Sequence, residues 1–355
     1  MAPRTAVHPS ATERFILDHV EPQRDQLRTW TGTLAHDVLI QRAAHRKSMT
    51  VKQISDSNRI FLLSDVVVGG MDAVITSLVS HQARRISRSK QMTKRYLEAS
   101  EVPTPKGKAI NTTEFSRAVK YMKALGKPVA VKPSSGRTGK GITTNVTTET
   151  ELRQAWSRAM AARSATSESK YQMVVEAHHP GLDVRVFVVG QQVAGAVARV
   201  PFYIVGDGVT TVGGLADAEI ERRGAEGYLA ARQPEVTDEF LDPVGLTRAS
   251  VLDEGALQLL TPIADTSRGG GLAVDITDQL SDDLQDLAVD GLWSIPGLNV
   301  AAVDLLVPSL DSAEDAVVLE VNPYANITEF HYPAYGESRR VADAIMEQIL
   351  ERASR

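Results

Sequence analysis

Two apolar runs near the C-terminal end of the chain are each interrupted by an acid. VAAVDLLV carries one carboxylate, Asp304, and VVLEVN carries Glu320 with Asn322 two residues on. Both runs read as strands, and residues i and i+2 of a strand share a face, so Glu320 and Asn322 offer two oxygen ligands side by side. Burying lone carboxylates is costly unless something compensates their charge. A hard divalent cation is one solution, because Mg²⁺ takes a few carboxylate oxygens completed by waters or phosphates. Exposed strand ends or Arg/Lys partners are the other.

The same patterning predicts the remaining elements. Helical periodicity covers 12–27, 71–85, 90–100, 113–125, 149–162, 214–223, 250–264, 280–293 and 338–352. Strand-like runs cover 60–68, 128–133, ITTNV and YQMVVE, and a hairpin of VRVFVVG with QQVAGAVARV turns at Gly190-Gln191. Gly69-Gly70 reads as a strand-to-helix turn, an α/β signature for the N-terminal part. The prolines of VPTP, 102–105, stop the preceding helix. Hairpins mixed with crossover helices make the chain α+β. The Gly- and charge-rich stretch 201–248 reads as a long excursion of the lid or binding-loop kind.

Composition narrows the functional classes. A length of 355 residues implies two or three lobes, and 43% hydrophobic with 23% charged residues is the make-up of a soluble globular protein. A net charge of -5 argues against a nucleic-acid partner, and zero cysteines excludes disulfides, thiolate metal sites and cysteine nucleophiles. The first residues lack the apolar core of a signal peptide, and no apolar run reaches the roughly 18 residues that span a bilayer. The expectation is a cytoplasmic protein without a membrane partner.

PVAVKPSSGRTGKG places Lys132 in an apolar strand just before a glycine loop containing Ser135, Gly136, Gly139, Lys140 and Gly141. Glycines let backbone N–H groups wrap an anion, and the basic residues add charge. The loop joins two strands, so it is neither a P-loop nor a dinucleotide fingerprint. A phosphate-binding loop and a plain flexible hairpin are the two readings, and the buried-looking lysine favours the first. In VVEAHHPGLDVRV, Glu176 ends an apolar strand ahead of Ala177, His178 and His179, with Asp183 and Arg185 beyond the Pro-Gly turn. Adjacent histidines point apart and lack a third ligand, so they read as lining of a hinge and not as a metal site.

The ordered segments SKQMTKRYLEASEVPTP, VAVKPSSGRTGKGI, VVEAHHPGLDVRVFVVG, ARVPFYIVGDGVTTVGGL, GGGLAVDITDQL, NVAAVDLLV and LEVNP together resemble the ATP-grasp superfamily of carboxylate–amine ligases. The likeness is to the ATP-grasp module of cyanophycin synthetases and of glutathione synthetase-like ligases. It implies an ATP-grasp fold: a pre-ATP-grasp α/β domain over 1–88, a small lobe with the glycine lid over 89–176, and a large lobe over 177–355. By the resemblance, Lys90 and Lys132 hold ATP phosphates under the Ser134–Gly141 lid. Glu176 to His179 forms the adenine hinge, Asp183 binds ribose, and Asp304, Glu320 and Asn322 bind Mg²⁺ (two ions, with Mn²⁺ as a substitute). Arg199 would lie near the transferred phosphoryl or substrate carboxylate; Arg185, Arg268 and the amides around Gly270 are lesser candidates. Without the resemblance, Arg199 reads as a surface strand arginine.

The implied activity is an ADP-forming ligase that makes an amide from the carboxylate and amine of amino acids or small peptides. A carboxylate or hydroxyl kinase and a non-catalytic nucleotide-binding protein are the alternatives, and homodimers are common in the family. The chain departs from relatives at two places. Ala302 stands where D-alanine–D-alanine ligases carry arginine, and PYANITEFHYPAYG replaces a Pro-Gly turn. These departures, and a length short of cyanophycin synthetase with its second catalytic domain, set the expectation that the product is not glutathione, cyanophycin or D-Ala-D-Ala. Tyr324, Asn326, His331 and Tyr335 are the residues of that rewritten stretch expected to help select substrate.

Overall fold

The computed structural model describes residues 9–134, 141–163, 172–225, 227–262, 264, 266–267 and 269–354. The expected lid residues Ser135, Gly136, Gly139 and Lys140, and also Arg268, lie outside them.

The chain begins with α1 (Ala11–Phe15), capped by Ser10 and Glu13 in a reciprocal box, and continues helically to Gln26. Helix α2 (His36–Arg46) then precedes an antiparallel meander of β1 (Thr50–Gln53), β2 (Asn58–Leu63), β3 (Val66–Asp72) and β4 (Ile75–Thr76). Two expectations fail here. The apolar run 60–68 is a hairpin, because Ser64 and Asp65 both take positive φ and turn the chain tightly. Gly69-Gly70 lies inside β3, where a Cβ on Gly70 would stand 2.7 Å from the Arg59 carbonyl oxygen. The glycines thus permit close strand pairing and not a strand-to-helix turn. The helix expected from 71 is only α3 (His81–Ser87), capped by Ser80, and the N-terminal part is α+β, not α/β.

After α4 (Lys90–Ala99), the small lobe contains β5 (Gly107–Asn111), α5 (Phe115–Leu125), β6 (Val129–Pro133), β7 (Thr143–Val146), α6 (Glu149–Ala161) and β8 (Gln172–Ala177). Its antiparallel sheet runs β5-β8-β6-β7, and Val129, Val131, Met173 and Val175 bury one face under Val119, Met122, Leu152 and Trp156.

The large lobe is built on β9 (Leu182–Val189) and β10 (Gln192–Val200). An excursion follows: β11 (Tyr203–Val205), α7 (Val212–Gly224), α8 (Gly227–Ala230), α9 (Asp238–Leu241) and β12 (Leu257–Leu259), the last pairing with β11. Residues 250–264 were expected to be helical, but Gly255 turns at φ +74° and LQL alternates as a strand. Then come β13 (Leu272–Asp275), α10 (Asp282–Trp293), β14 (Val300–Val307), β15 (Val317–Asn322), α11 (Thr328–His331) and α12 (Val341–Ala353).

The central sheet runs β13-β10-β9-β14-β15. Strand alternation divides its faces. Val184, Val186 and Val188 of β9, with Ala301, Val303 and Leu305 of β14, pack toward α10. Phe187, Val189, Val300 and Ala302 pack toward α2, α11 and α12. Asp183, Arg185 and Asp304 fall on this second face by the period of two, so one face is apolar at one end and charged at the other. In β15, Leu319 is left unpaired: Asp304 faces Glu320, but Leu305 faces Val318.

Two buried histidines lie under the apolar end. His36 Nδ1 accepts the Ile327 amide and His331 Nε2 accepts the Ala342 amide, each at 3.3 Å. Burial pushes both down to about 4. Both folded imidazoles are therefore neutral, and protons taken up only by the unfolded chain between about pH 6.5 and about pH 4 oppose folding. Stability should fall over that window by up to roughly 1.4 kcal/mol per pH unit for each histidine. Melting curves across it should show a weaker pH dependence in His331→Gln, which keeps an acceptor without the titration. A second expected outcome concerns β5. A Cβ on Gly107 would lie 2.6 Å from Glu176 Cβ, so Gly107→Ala should cost about 1–3 kcal/mol in urea unfolding.

Candidate active site

The charged end of the central sheet is organised by a guanidinium. Arg185 Nε and Nη2 donate to the two oxygens of Asp304 at 2.7 and 2.8 Å, from directly paired positions on β9 and β14. Its Nη1 donates to Glu329 Oε1 at 3.0 Å. Arg199 on β10, paired with Asp183, donates to that carboxylate from Nε at 3.0 Å and Nη2 at 2.6 Å, and its Nη2 lies 3.4 Å from Asp304. Burial raises Asp183 and the Asp304 charge adds to this, against the pull of Arg199. Burial also works against the charge of Asp304, but Arg185 and Arg199 outweigh it and hold Asp304 well below the carboxylate range. Neither arginine is a surface residue, which removes the bland reading of Arg199.

Glu320 stands opposite Asp304 and Asn322 opposite Ala302, so Asp304, Glu320 and Asn322 share the charged face. Two carboxylates and an amide oxygen are hard donors suited to Mg²⁺, which needs only one or two carboxylates when phosphates complete its shell. Asn322 Oδ1 accepts the Tyr324 amide at 2.9 Å, which fixes its side chain. Among the described residues no group of three His, Cys, Asp or Glu side chains gathers at metal-binding distance. The donor set is thus incomplete without an amide and without ligands brought by a substrate.

Helix α4 joins this platform to the small lobe. Lys90 Nζ lies 3.4 Å from Glu320 Oε2. One helical turn later, Lys94 reaches Glu176 Oε2 at 2.7 Å and also donates to the Pro105 carbonyl. Residues i and i+4 share a helix face, so one face of α4 addresses both sheets. The VPTP segment fastens it, with the Val318 amide donating to Pro103 and the Thr104 hydroxyl to the Val318 carbonyl. Lys132, on β6, reaches Glu176 Oε1 at 2.5 Å. Burial raises Glu176, but Lys132 and Lys94 overcome it and hold the carboxylate at about 2. Burial, then Lys90 and Lys94, lower Lys132 against the attraction of Glu176. Two ammonium groups, Lys94 and Lys132, thus meet on Glu176, and a third, Lys90, stands on Glu320, an arrangement ready for an anion.

The remaining sequence candidates are placed as follows. The amides of Ala177 and His178 already donate to the Lys106 and Pro128 carbonyls at 2.8 Å, so a ligand at this hinge must use other groups. Burial lowers both His178 and His179. Gly141 has φ +76°, with Ala162 Cβ only 2.5 Å from where its own Cβ would be. Gly270 has φ +69° and is wedged against Pro234 and Phe202, and its carbonyl accepts from the fully buried Arg223.

The stretch after Asn322 corrects expectation. Tyr335 is fully buried and donates to the Arg24 carbonyl, His331 accepts the Ala342 amide at the start of α12, Tyr324 meets Arg84, and Asn326 Oδ1 accepts the Thr328 amide. The residue of that stretch directed at the charged face is Glu329, which the sequence reading missed, as it missed Lys94 and Thr266. The spacing of Lys94 four residues after Lys90 was the available signal for the lysine. For Glu329 it was an acid among the apolar and aromatic residues of NITEFHY.

A family model described as the carbamoyl-phosphate synthase L chain, ATP binding domain, matches residues 89–181. Cyanophycin synthetase of Nostoc sp. is 30% identical over 320 residues, 87% of this chain and 34% of that protein. The glutathione biosynthesis bifunctional protein GshAB of Pasteurella multocida is 27% identical over 339 residues, 92% of this chain and 43% of that one. A crystal structure of a bifunctional glutathione synthetase from Pasteurella multocida shares the fold, with a TM-score of 0.59 at 22% identity over 89% of this chain and 44% of that chain. The chain spans less than half the length of each of these relatives. Its order of motifs, its paired lobes and these matches make it a member of the ATP-grasp superfamily.

Proposed function

We propose that the chain is an ATP-dependent, ADP-forming ligase that joins a carboxylate to an amine of amino acids or small peptides through an acyl phosphate. The observation that carries this reading is the meeting of two opposed sets of charges. Asp304, Glu320 and Asn322 share a sheet face with Arg185 and Arg199, and Lys90, Lys94 and Lys132 approach from α4 and the small lobe.

On this reading Lys90 and Lys132 grip the phosphates, exchanging carboxylate partners for phosphate oxygens. Glu176 to His179 lines the base and Asp183 the ribose. Asp304, Glu320 and Asn322 hold Mg²⁺, for which we favour two ions, with Mn²⁺ able to replace them. When bound, the ions neutralise phosphate charge and orient the γ-phosphoryl group. Phosphoryl transfer is mainly positioning and charge neutralisation, and buried arginines beside the platform suit the substrate carboxylate. The loop 134–141 would close over the phosphates and exclude water from the acyl phosphate. No cysteine is required, and the sequence has none. Partners on this reading are small molecules, with a homodimer as the assembly and the cytoplasm as the compartment. Among the described residues no helix is long and apolar enough to cross a membrane.

With ATP and Mg²⁺, a screen of amino acids and dipeptides should release ADP and phosphate only when both an acid and an amine are present. Production of AMP and pyrophosphate would overturn the reading, and a phosphorylated product accumulating without amine would favour a kinase. Glu320→Gln and Lys132→Ala should each reduce ADP release on the order of 10²–10³-fold while retaining a cooperative melting transition. Turnover equal to the parent protein in either variant would remove these residues from the site.

A further inference from the structure

Most carboxylates of the charged region have their charge answered. Glu176 has two lysines, Asp183 has two nitrogens of Arg199, and Asp304 has two nitrogens of Arg185. Glu320 has Lys90 and a side chain 36% exposed. Glu329 is different. Its side chain is only 9% exposed, and among the described residues its one cationic hydrogen-bond partner is the Nη1 of Arg185, a guanidinium already gripped at both other nitrogens by Asp304. Its second oxygen takes the neutral Thr266 hydroxyl at 3.2 Å. A buried carboxylate sharing half a cation is an unfinished arrangement.

Its place in the fold says what would finish it. Phe330 packs edge-to-face on Phe187, and Glu329, the residue before it, meets Arg185, so α11 sits at the border of the apolar and charged halves of one sheet face. Arg185 separates Glu329 from Asp304 and therefore from the cation platform. Aromatic rings gather on this side: Tyr228 lies 5.8 Å from Tyr332, which meets Trp30 at 5.3 Å, and Arg232 already stacks on Tyr228 at 3.8 Å. After burial, the Glu329 charge is among the influences that raise the Tyr228 phenol. A buried carboxylate that shares its described cation with Asp304, within electrostatic reach of the Tyr228 ring, suits an ammonium group.

We infer that Glu329 docks the ammonium group of the amine substrate and removes one of its protons. The inference rests on the ligase reading. The proton passes from nitrogen to the Glu329 carboxylate, and the freed nitrogen lone pair forms the C–N bond at the acyl-phosphate carbonyl as its π electrons move to oxygen. Those electrons return as the C–O bond to phosphate breaks. The second nitrogen proton leaves with the phosphate, and Glu329 returns its proton to solvent.

Hydroxylamine, uncharged at neutral pH, needs no such docking and separates this step from acyl-phosphate formation. The parent protein, Glu329→Gln and Glu329→Asp would be incubated with ATP, Mg²⁺ and a pool of the twenty proteinogenic amino acids, with or without hydroxylamine. Hydroxamate is read as its ferric complex and dipeptide by mass spectrometry. Dipeptide yield in Glu329→Gln should fall on the order of 10²-fold more than hydroxamate yield, with Glu329→Asp between it and the parent. Equal losses in both arms by variants that keep the parent's melting transition, or no loss in either, overturn the inference alone. A parent protein that yields neither product overturns the ligase reading and this inference with it.

Discussion

The two-nitrogen grip of Arg185 on Asp304 is the contact on which the functional face depends. It joins the central strands β9 and β14 at paired positions and makes a buried charge tolerable. Removing one member would leave the other buried and uncompensated, the case in which ion pairs matter most. Everything else on the face is placed relative to this pair. Glu320 lies across the next strand boundary, Arg199 on the opposite flank, and Glu329 on the remaining nitrogen of Arg185.

A second charge centre lies around Glu176 in the small lobe. What couples the two centres is the pitch of α4. A rise of about 1.5 Å per residue puts Lys90 and Lys94 roughly 6 Å apart along one helix face, with one lysine on each sheet's carboxylate. The helix therefore registers the two sheets against each other electrostatically, and on the proposed reading its ammonium groups lie where phosphates would enter. An anion arriving there exchanges partners with groups that are already charged and already positioned, which limits the reorganisation that binding requires.

How much of this was legible follows from the range of each signal. Strand alternation exposed Asp304, Glu320 and Asn322, because a single acid in an apolar run is anomalous whatever the fold. The glycine turn at 190–191 and the helix stop at VPTP were equally local. The errors were also local in form but long-range in cause. The Ser64-Asp65 hairpin rests on two positive φ angles at non-glycine residues, and Gly69-Gly70 is explained by the neighbouring strand. Arg185 and Arg199 could be named but not paired, since their partners lie 119 and 16 residues away. Glu329 was missed for the same reason: its significance comes from what Arg185 has left to offer.

The unpaired Leu319 in β15 acts as a phase shifter. Upstream of it, Val318 follows the packing rhythm of the core; downstream, Glu320 and Asn322 follow the rhythm of the charged face. An uninterrupted strand would tie the two rhythms together, so that whatever put Val318 against α10 would turn the acid inward with it. One extra residue uncouples them. The interior half of the strand can then change to suit its packing while the chemical half keeps its orientation, and the short LEVNP segment can be read as a unit insulated from the hydrophobic text before it.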